Sequence, residues 1–337
     1  MDEFQNNEER FEMAYFVGID LGGTNIKAGV VTEKGELLNK VSIKTNADRP
    51  MEEIIKDMGN LAKQAIAEAN ISESDVSAIG IGSPGTPDNK AGTLVYATNL
   101  PFVNAPMRKI IRTVIDLPVY IDNDANCAAM AESVSGAAAD VADSVTITLG
   151  TGIGAGVIVN NRIFSGFNQA GSEFGHHVIM VNGQQCSCGR KGCFEAYGSA
   201  SALARITEEA AAANPSSILG KLIEENGGRA NARIAFDGMR AGDDVAANVV
   251  DTYIDYLSEG LANAINTFMP EVLLIGGGVC NEGDPLMVPL REKTLNKPFF
   301  GPGVRKTEIR VAKMGNDAGI VGAAMMGKAC FDDKIQG

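Results

Sequence analysis

The apolar residues of this chain switch repeatedly between strand-like runs and helical spacing, and the switches predict its elements. Residues 14–20, A-Y-F-V-G-I-D, form a short apolar run that ends on an acid, and the glycine turn L-G-G-T-N and the run I-K-A-G-V-V follow at once. Thr32–Gly35 turns the chain and Glu36–Lys44 returns, so the opening reads as an antiparallel meander. Pro50–Ala69 changes to helical spacing, with Ile54, Ile55, Met58, Leu61, Ala62, Ala65 and Ile66 on one face. Val76–Ile81 is a buried strand, and the G-S-P-G-T-P-D around its end has enough Pro and Gly to force a loop. Ala105–Ile115 reads as helix and Pro118–Ile121 as strand. D-N-D-A-N-C-A-A-M-A-E-S-V follows as an Ala-rich helix with Asp124 as its N-cap.

The opening pattern then recurs. Residues 145–158, V-T-I-T-L-G-T-G-I-G-A-G-V-I, repeat L-G and, after one deleted residue, I-x-A-G-V. Glycines at such a turn leave backbone N–H groups unobstructed, so the turn can cradle phosphate oxygens. Two such turns about 130 residues apart predict a duplicated fold whose halves face each other across a cleft, with a nucleotide gripped from both sides. Further on, Phe194–Ala213, Pro215–Glu225, Ala232–Met239, Asp244–Phe268 and Asp284–Thr294 read as helices. Glu271–Ile275 is a strand running into G-G-G-V, Glu308–Ala312 is another, and N-D-A-G-I-V-G-A-A-M-M-G-K-A opens a final helix. No low-complexity linker divides the chain, so the boundary between halves is expected at the cleft.

The densest chemistry lies between Glu173 and Glu195, where two histidines, three cysteines and two carboxylates share 23 residues. Cys186, Cys188 and Cys193, with His176 ten residues upstream, read as a Cys3His tetrahedral zinc knuckle. Such a site fills every coordination position with protein, which makes the metal structural rather than catalytic. Gly189 and Gly192 let the backbone turn tightly enough for the thiolates to converge. If 174–181 is a strand, His176 and His177 point to opposite faces and only one can serve; His176 is the expected ligand.

Composition narrows the class. A length of 337 residues exceeds the roughly 250–300 at which one core stops growing, so two lobes are expected. A formal net charge of -13 and a pI near 4.7 argue against a nucleic-acid partner. The polar, acidic opening lacks the features of a signal peptide and no apolar run is long enough to span a membrane. Cys127, Cys280 and Cys330 are scattered outside the knuckle, so the six cysteines form no disulfide framework and fit a reducing, cytoplasmic setting.

D-L-G-G-T-N-I-K at 20–27, the L-x-x-G-T-G-I-G-A-G segment, E-F-G-H followed by C-x-C-G-x-x-G-C-x-E, and the late G-G-G-V and G-N-D-A-G-I-V-G-A-A together resemble the ROK family of sugar kinases, repressors and related open reading frames. The resemblance runs from about residue 14 to 330. It implies an α/β, two-lobed, actin-like or hexokinase-type ATPase fold with duplicated sheet topology and a zinc knuckle. The expected division is a flexible tail over 1–13, a smaller lobe of 14–122 plus about 317–337, and a larger lobe of 123–316. Repressors of the family carry a helix-turn-helix before the first phosphate turn; only nineteen residues precede Asp20, so the kinase branch is expected.

The resemblance also implies roles. Asp124 matches the catalytic base, and Asn123, Glu173, His176 and Glu195 match sugar contacts, with Gly85, Thr98 and Asn99 in the sugar-side loop. His176 would then give one ring nitrogen to zinc and aim the other at the sugar. Gly22, Gly23, Thr24 and Lys27 would face the phosphates of ATP from one lobe and Gly150, Thr151 and Gly152 from the other, with Gly276, Gly277 and Gly278 as the nucleotide floor. Asp20 would hold Mg2+ through water. The implied reaction is ATP-dependent phosphorylation of glucose to glucose 6-phosphate by a homo-oligomer, a dimer or tetramer. Mannose, N-acetylmannosamine or allose are alternative substrates, and a silent sugar sensor is an alternative class. Phe102 stands where many glucose-phosphorylating members have tryptophan, and His177 lies outside the family pattern.

Overall fold

The computed structural model describes residues 14–97 and 100–336; the N-terminal tail 1–13 and the sugar-side Thr98 and Asn99 lie outside the described residues. The chain divides into two compact units, one of residues up to Asp124 together with those from Gly319 on, the other of Ala125–Ala318.

The first unit begins with β1 (Tyr15–Leu21), β2 (Asn25–Thr32), β3 (Val41–Lys44), α1 (Met51–Glu68) and β4 (Val76–Ser83). Its sheet is completed by β8 (Val119–Asn123), in the order β3-β2-β1-β4-β8. The β1–β2 and β2–β3 pairs are antiparallel, whereas β4 joins β1, and β8 joins β4, in parallel. Val17, Ile19, Ile26 and Ile79 of this sheet pack in one core with Ile54, Ile55, Met58 and Leu61 of α1, the face that the helical spacing marks.

Three short strands, β5 (Thr86–Asp88), β6 (Thr93–Tyr96) and β7 (Val103–Ala105), form a separate antiparallel sheet where the sequence predicts only a loop. Strands of three or four residues are too short to show alternation, and Pro87 is tolerated because β5 is an edge strand. The helix expected over 105–115 shrinks to α2 (Met107–Ile111). Ala105 belongs to β7, and at the far end Thr113 turns its hydroxyl onto the Ile110 carbonyl at 2.7 Å.

Helix α3 (Asp124–Val134) leads into the second unit, which contains β9 (Ser144–Leu149), β10 (Ile153–Val159), β11 (Arg162–Ile163), α4 (Glu195–Gly198), α5 (Ala200–Ala213), α6 (Leu219–Glu225), α7 (Ile234–Arg240), α8 (Asp244–Phe268), β12 (Val272–Gly276), α9 (Asp284–Leu295) and β13 (Glu308–Val311). Asp124 is the first residue of this helix. The strand order β11-β10-β9-β12-β13 repeats the first sheet strand for strand, with the same two antiparallel and two parallel pairings. Register repeats as well: Leu21 pairs with Ile26, and Leu149 pairs with Ile153 across a turn one residue shorter.

Helix α8 runs over the residues its periodicity predicts, opened by Asp243, whose carboxylate accepts the Ala246 N–H at 2.8 Å. The helix expected over Phe194–Ala213 breaks at Ser199, whose hydroxyl accepts the Ala202 N–H and starts α5. The conditional strand over 174–181 is absent; a 3-10 turn at Phe174–His176 stands there instead. The chain returns to the first unit through α10 (Ala318–Gln336). A side chain at Gly18 or Gly80 would collide with the Ile320 or Ala323 carbonyl, so these two strand glycines let the helix backbone lie directly on β1 and β4. Among the described residues no helix is long and apolar enough to cross a membrane.

Candidate active site

Each five-stranded sheet carries a glycine turn after its first strand, and each turn is held by its own neighbours. In the first unit Gly22 N–H donates to the Asn25 carbonyl at 3.0 Å, and the Thr45 hydroxyl donates to the Gly22 carbonyl at 2.6 Å. Gly23 and Thr24 are exposed. Beside this turn Asp20 and Lys27 are cross-strand partners and pair at 3.1 Å through Oδ2. A Cβ at Gly319 would lie 2.6 Å from Asp20 Cγ, so the first turn of α10 sits against that carboxylate. Among the described residues no hydrogen bond occupies Oδ1 of Asp20, which fits a carboxylate that takes a hydrated divalent ion.

In the second unit Gly150 N–H donates to the Gly152 carbonyl at 3.0 Å, and the Gly150 carbonyl accepts Ala200 N–H at 2.9 Å. Gly150 and Thr151 are exposed. Glu195 Oε2 accepts the Ile153 N–H at 2.9 Å, closing the turn from the other side. A side chain at Gly152 would overlap that same carboxylate oxygen.

Gly276, Gly277 and Gly278 line a cavity of about 440 Å³ in the second unit, with Thr146, Thr148, Glu132, Asn281, Ala312, Gly315 and Asn316 among its other walls. Gly277 has φ 96° and would collide with the Leu149 carbonyl if it carried a side chain. The three glycines therefore form backbone floor, open to a planar or anionic ligand.

The cysteine-rich loop is drawn into one cluster. The ligand atoms of His176, Cys186, Cys188 and Cys193 all lie within 4.8 Å of one another. Cys188 and Cys193 Sγ are 3.7 Å apart, and Cys186 Sγ lies 3.7 Å from His176 Nδ1. Tetrahedral zinc with Zn–S bonds of ~2.3 Å needs sulfurs roughly 3.8 Å apart, so this donor set fits the ion. The loop is built for the turn: Gly189 and Gly192 have φ 90° and 82°, Cys186 N–H donates to the Arg190 carbonyl at 2.9 Å, and Arg190 Nη1 donates to the His176 carbonyl at 3.2 Å. Burial and the neighbouring thiols push Cys193 up to about 12, whereas the Arg190 backbone N–H holds Cys188 below its ordinary value. A divalent cation at their centre removes that mutual opposition. His177 is not in the cluster; its ring packs on Phe174 at 4.4 Å between centroids, and desolvation with the charge of Arg190 lowers its pKa.

Glu195 joins this cluster to the phosphate-type turn. Its Oε1 accepts the Ser187 hydroxyl at 3.2 Å, and Oε2 holds Ile153. Glu173 is exposed at the entry to the 3-10 turn that carries His176. In the first unit Asn123 Nδ2 donates to the Gly85 carbonyl at 3.1 Å, Gly85 has φ 98°, and Asp124 is exposed at the start of α3. Sequence reasoning overlooked Glu132, Ser187, Asn281 and Asn316. Glu132 alone left a trace, an acid in an otherwise small and apolar stretch of helix, A-A-M-A-E-S.

Comparison with known proteins follows the same lines. The model of the ROK family matches residues 16–329. The glucokinase of Halalkalibacterium halodurans is 35% identical over 317 residues, covering 93% of this chain and 95% of that protein. The glucokinase of Thermotoga maritima is 36% identical over 311 residues, covering 91% and 95%. The crystal structure of a ROK family glucokinase from Streptomyces griseus in complex with glucose and AMPPNP matches with a TM-score of 0.76 at 32% identity, covering 94% of this chain and all of that one.

Proposed function

This chain belongs to the ROK family, and from that premise we propose that it is an ATP-dependent sugar kinase that converts glucose to glucose 6-phosphate. The observation that carries the reading is the likeness to two glucokinases at 35% and 36% identity over more than nine-tenths of each chain's length. The glycine turns, the glycine-floored cavity and the cysteine cluster support it.

Asp124 is the base. Its carboxylate takes the proton of the attacking sugar hydroxyl while that oxygen bonds to the γ-phosphorus of ATP, and the bond from that phosphorus to the β–γ bridging oxygen breaks to release ADP. The amides of Gly22, Gly23 and Thr24, with Lys27, bind phosphate oxygens. Those of Gly150, Thr151 and Gly152 serve the same role, and Gly276–Gly278 carry the nucleotide. Asp20 would hold Mg2+ through water, and the ion when bound neutralises phosphate charge. Asn123 and the loop of Gly85, Thr98 and Asn99 contact the sugar, as do Glu173, His176 and Glu195, whose carboxylates accept from sugar hydroxyls. His176, Cys186, Cys188 and Cys193 would hold Zn2+, which when bound fixes the loop between Glu173 and Glu195. Because Nδ1 of His176 is the ring nitrogen near Cys186, Nε2 is the one left for sugar.

Two measurements test this. Coupled detection of ADP release over a panel of glucose, mannose, N-acetylmannosamine and allose should give the highest kcat/KM with glucose; a different best sugar moves the chain within the kinases, and no sugar-dependent release makes it a sensor. Asp124→Asn should keep its melting temperature and its glucose binding yet lose roughly 10²- to 10⁴-fold in turnover. Turnover within a few-fold of wild type would mean that the proton goes elsewhere.

A further inference from the structure

Near its C-terminal end α3 carries a carboxylate that is 2% exposed, and among the described residues no lysine or arginine side chain pairs with it. A buried carboxylate is costly unless it is hydrogen-bonded, and Glu132 meets that cost with three backbone amides. Its Oε2 accepts the Ala137 N–H at 2.7 Å. Its Oε1 accepts both Lys313 N–H and Met314 N–H, each at 2.7 Å. The two halves of this arrangement are fastened again by Arg310, whose Nη1 donates to the Ala137 carbonyl at 2.8 Å.

The segment so gripped is a wall of the glycine-floored cavity. Ala312, Gly315 and Asn316 line it, as does Glu132 itself. Ala312 N–H is held by the Ile275 carbonyl at the end of the sheet, and Asp317 N–H closes the following turn on the Met314 carbonyl at 3.2 Å. Between those two fixed points, among the described residues, Glu132 holds the backbone through consecutive amides at 313 and 314. Gly315, with φ 53°, then reverses the chain into the 3-10 turn.

We infer that Glu132 is a positioning residue for the nucleotide: by clamping Lys313 and Met314 it sets the wall formed by Ala312, Gly315 and Asn316, and it never touches the phosphoryl group in transfer. The inference rests on the proposed reading of this cavity as the nucleotide site. Three donors converge on the carboxylate, so a glutamine cannot replace it. Its single oxygen can satisfy one side, and its NH2 must then face a backbone N–H on the other.

The test is titration of the full chain with ADP, alongside kinetics in ATP and in glucose. Glu132→Gln should weaken ADP binding roughly ten- to hundredfold, the equivalent of one hydrogen bond to a charged group. It should raise the KM for ATP in step, while leaving the KM for glucose within about twofold. Hydrogen exchange at the amides of Lys313 and Met314 should quicken in the variant. If Glu132→Gln does not accumulate as folded protein, Glu132→Asp, which keeps the charge one methylene short, is read by the same criteria. ADP affinity within twofold of wild type, or equal losses toward ADP and glucose, overturns the inference. Failure of the wild-type chain to bind ADP overturns instead the reading of the cavity on which it rests.

Discussion

Glu195 is the residue at which stability and chemistry can be pulled apart. One of its oxygens holds Ile153 N–H at 2.9 Å and the other the Ser187 hydroxyl at 3.2 Å. Ile153 is buried, so truncation to alanine takes the acceptor from its N–H. An orphaned buried donor costs ~1–3 kcal/mol, and a bond to a charged acceptor lies in the upper part of that range, so Glu195→Ala should lose about 2–3 kcal/mol. Glutamine keeps one acceptor oxygen for Ile153 and turns its NH2 toward Ser187, whose hydroxyl can accept; that variant loses only the charge assistance, about 1 kcal/mol or less. In a unit the size of Ala125–Ala318 each kcal/mol moves the midpoint by roughly 2–4 °C, so alanine should lower it by about 4–12 °C and glutamine by at most about 4 °C. The assay is thermal and urea unfolding of both variants. If the two units unfold in separate steps, the loss belongs to the second unit's transition, because the residues bonded to Glu195 all lie there. Alanine and glutamine variants of equal stability would refute the account, since it depends on the Ile153 amide being left bare in one and not in the other.

Two further outcomes follow from the same unit. Protein purified without chelator should contain one equivalent of zinc per chain, and Cys188→Ser should lose it together with several degrees of thermal stability; elemental analysis that finds no zinc in the wild-type chain removes the metal assignment. Asp243, at the head of α8, is held below its ordinary carboxyl value of 3.8, chiefly by the Ala246 N–H and then by the Ile218 N–H and the Ser217 hydroxyl. A carboxyl lowered in the folded state stabilises above its unfolded value and loses that contribution as pH falls through the folded one. Asp243→Ala should therefore cost about 1–2 kcal/mol at pH 7, and the gap to wild type in urea midpoints should narrow as pH drops below 3.8; a gap constant with pH counts against the charge as its source.

What the sequence made legible depended on how far apart in the chain the cause and its effect lie. The sheet repeat was readable because L-G and I-x-A-G-V fix the register locally, and Leu21–Ile26 and Leu149–Ile153 are paired as that alignment requires. Helix α8 was readable because 25 residues give periodicity room to assert itself. The β5–β6–β7 sheet was not, since its strands have three or four residues and one contains Pro87. Within the candidate site the Cys3His cluster was legible because its four residues fall inside one short loop. Its geometry was legible in part: Gly189 and Gly192 take the positive φ that the expected turn needs, whereas a 3-10 segment at Phe174–His176 stands where the conditional strand over 174–181 would have run. Glu132 left its trace as an acid in a small and apolar stretch of α3, but its role was beyond reach, because two of the amides it holds come 181 and 182 residues later.

The shared register also explains why two copies of one sheet need not do the same work. With Leu21 aligned on Leu149 and Ile26 on Ile153, Asp20 corresponds to Thr148 and Lys27 to Gly154. The first copy therefore places a carboxylate and an ammonium 3.1 Å apart beside its turn, whereas the second has only a hydroxyl, which donates to the Gly154 carbonyl at 3.3 Å. The first turn has its carboxylate on the sheet itself, whereas the carboxylate beside the second turn, that of Glu195, comes from outside the sheet. The anchors differ in the same sense. Thr45, directly after the first sheet's third strand, fixes the first turn through its hydroxyl on the Gly22 carbonyl and its N–H on the Thr24 carbonyl. The second is fixed by Glu195 and Ala200, which belong to the helices entered directly from the cysteine cluster. Glu195 therefore joins the cysteine loop, through the Ser187 hydroxyl, to the end of the second turn, through the Ile153 N–H, a link with no counterpart in the Thr45 anchor of the first turn.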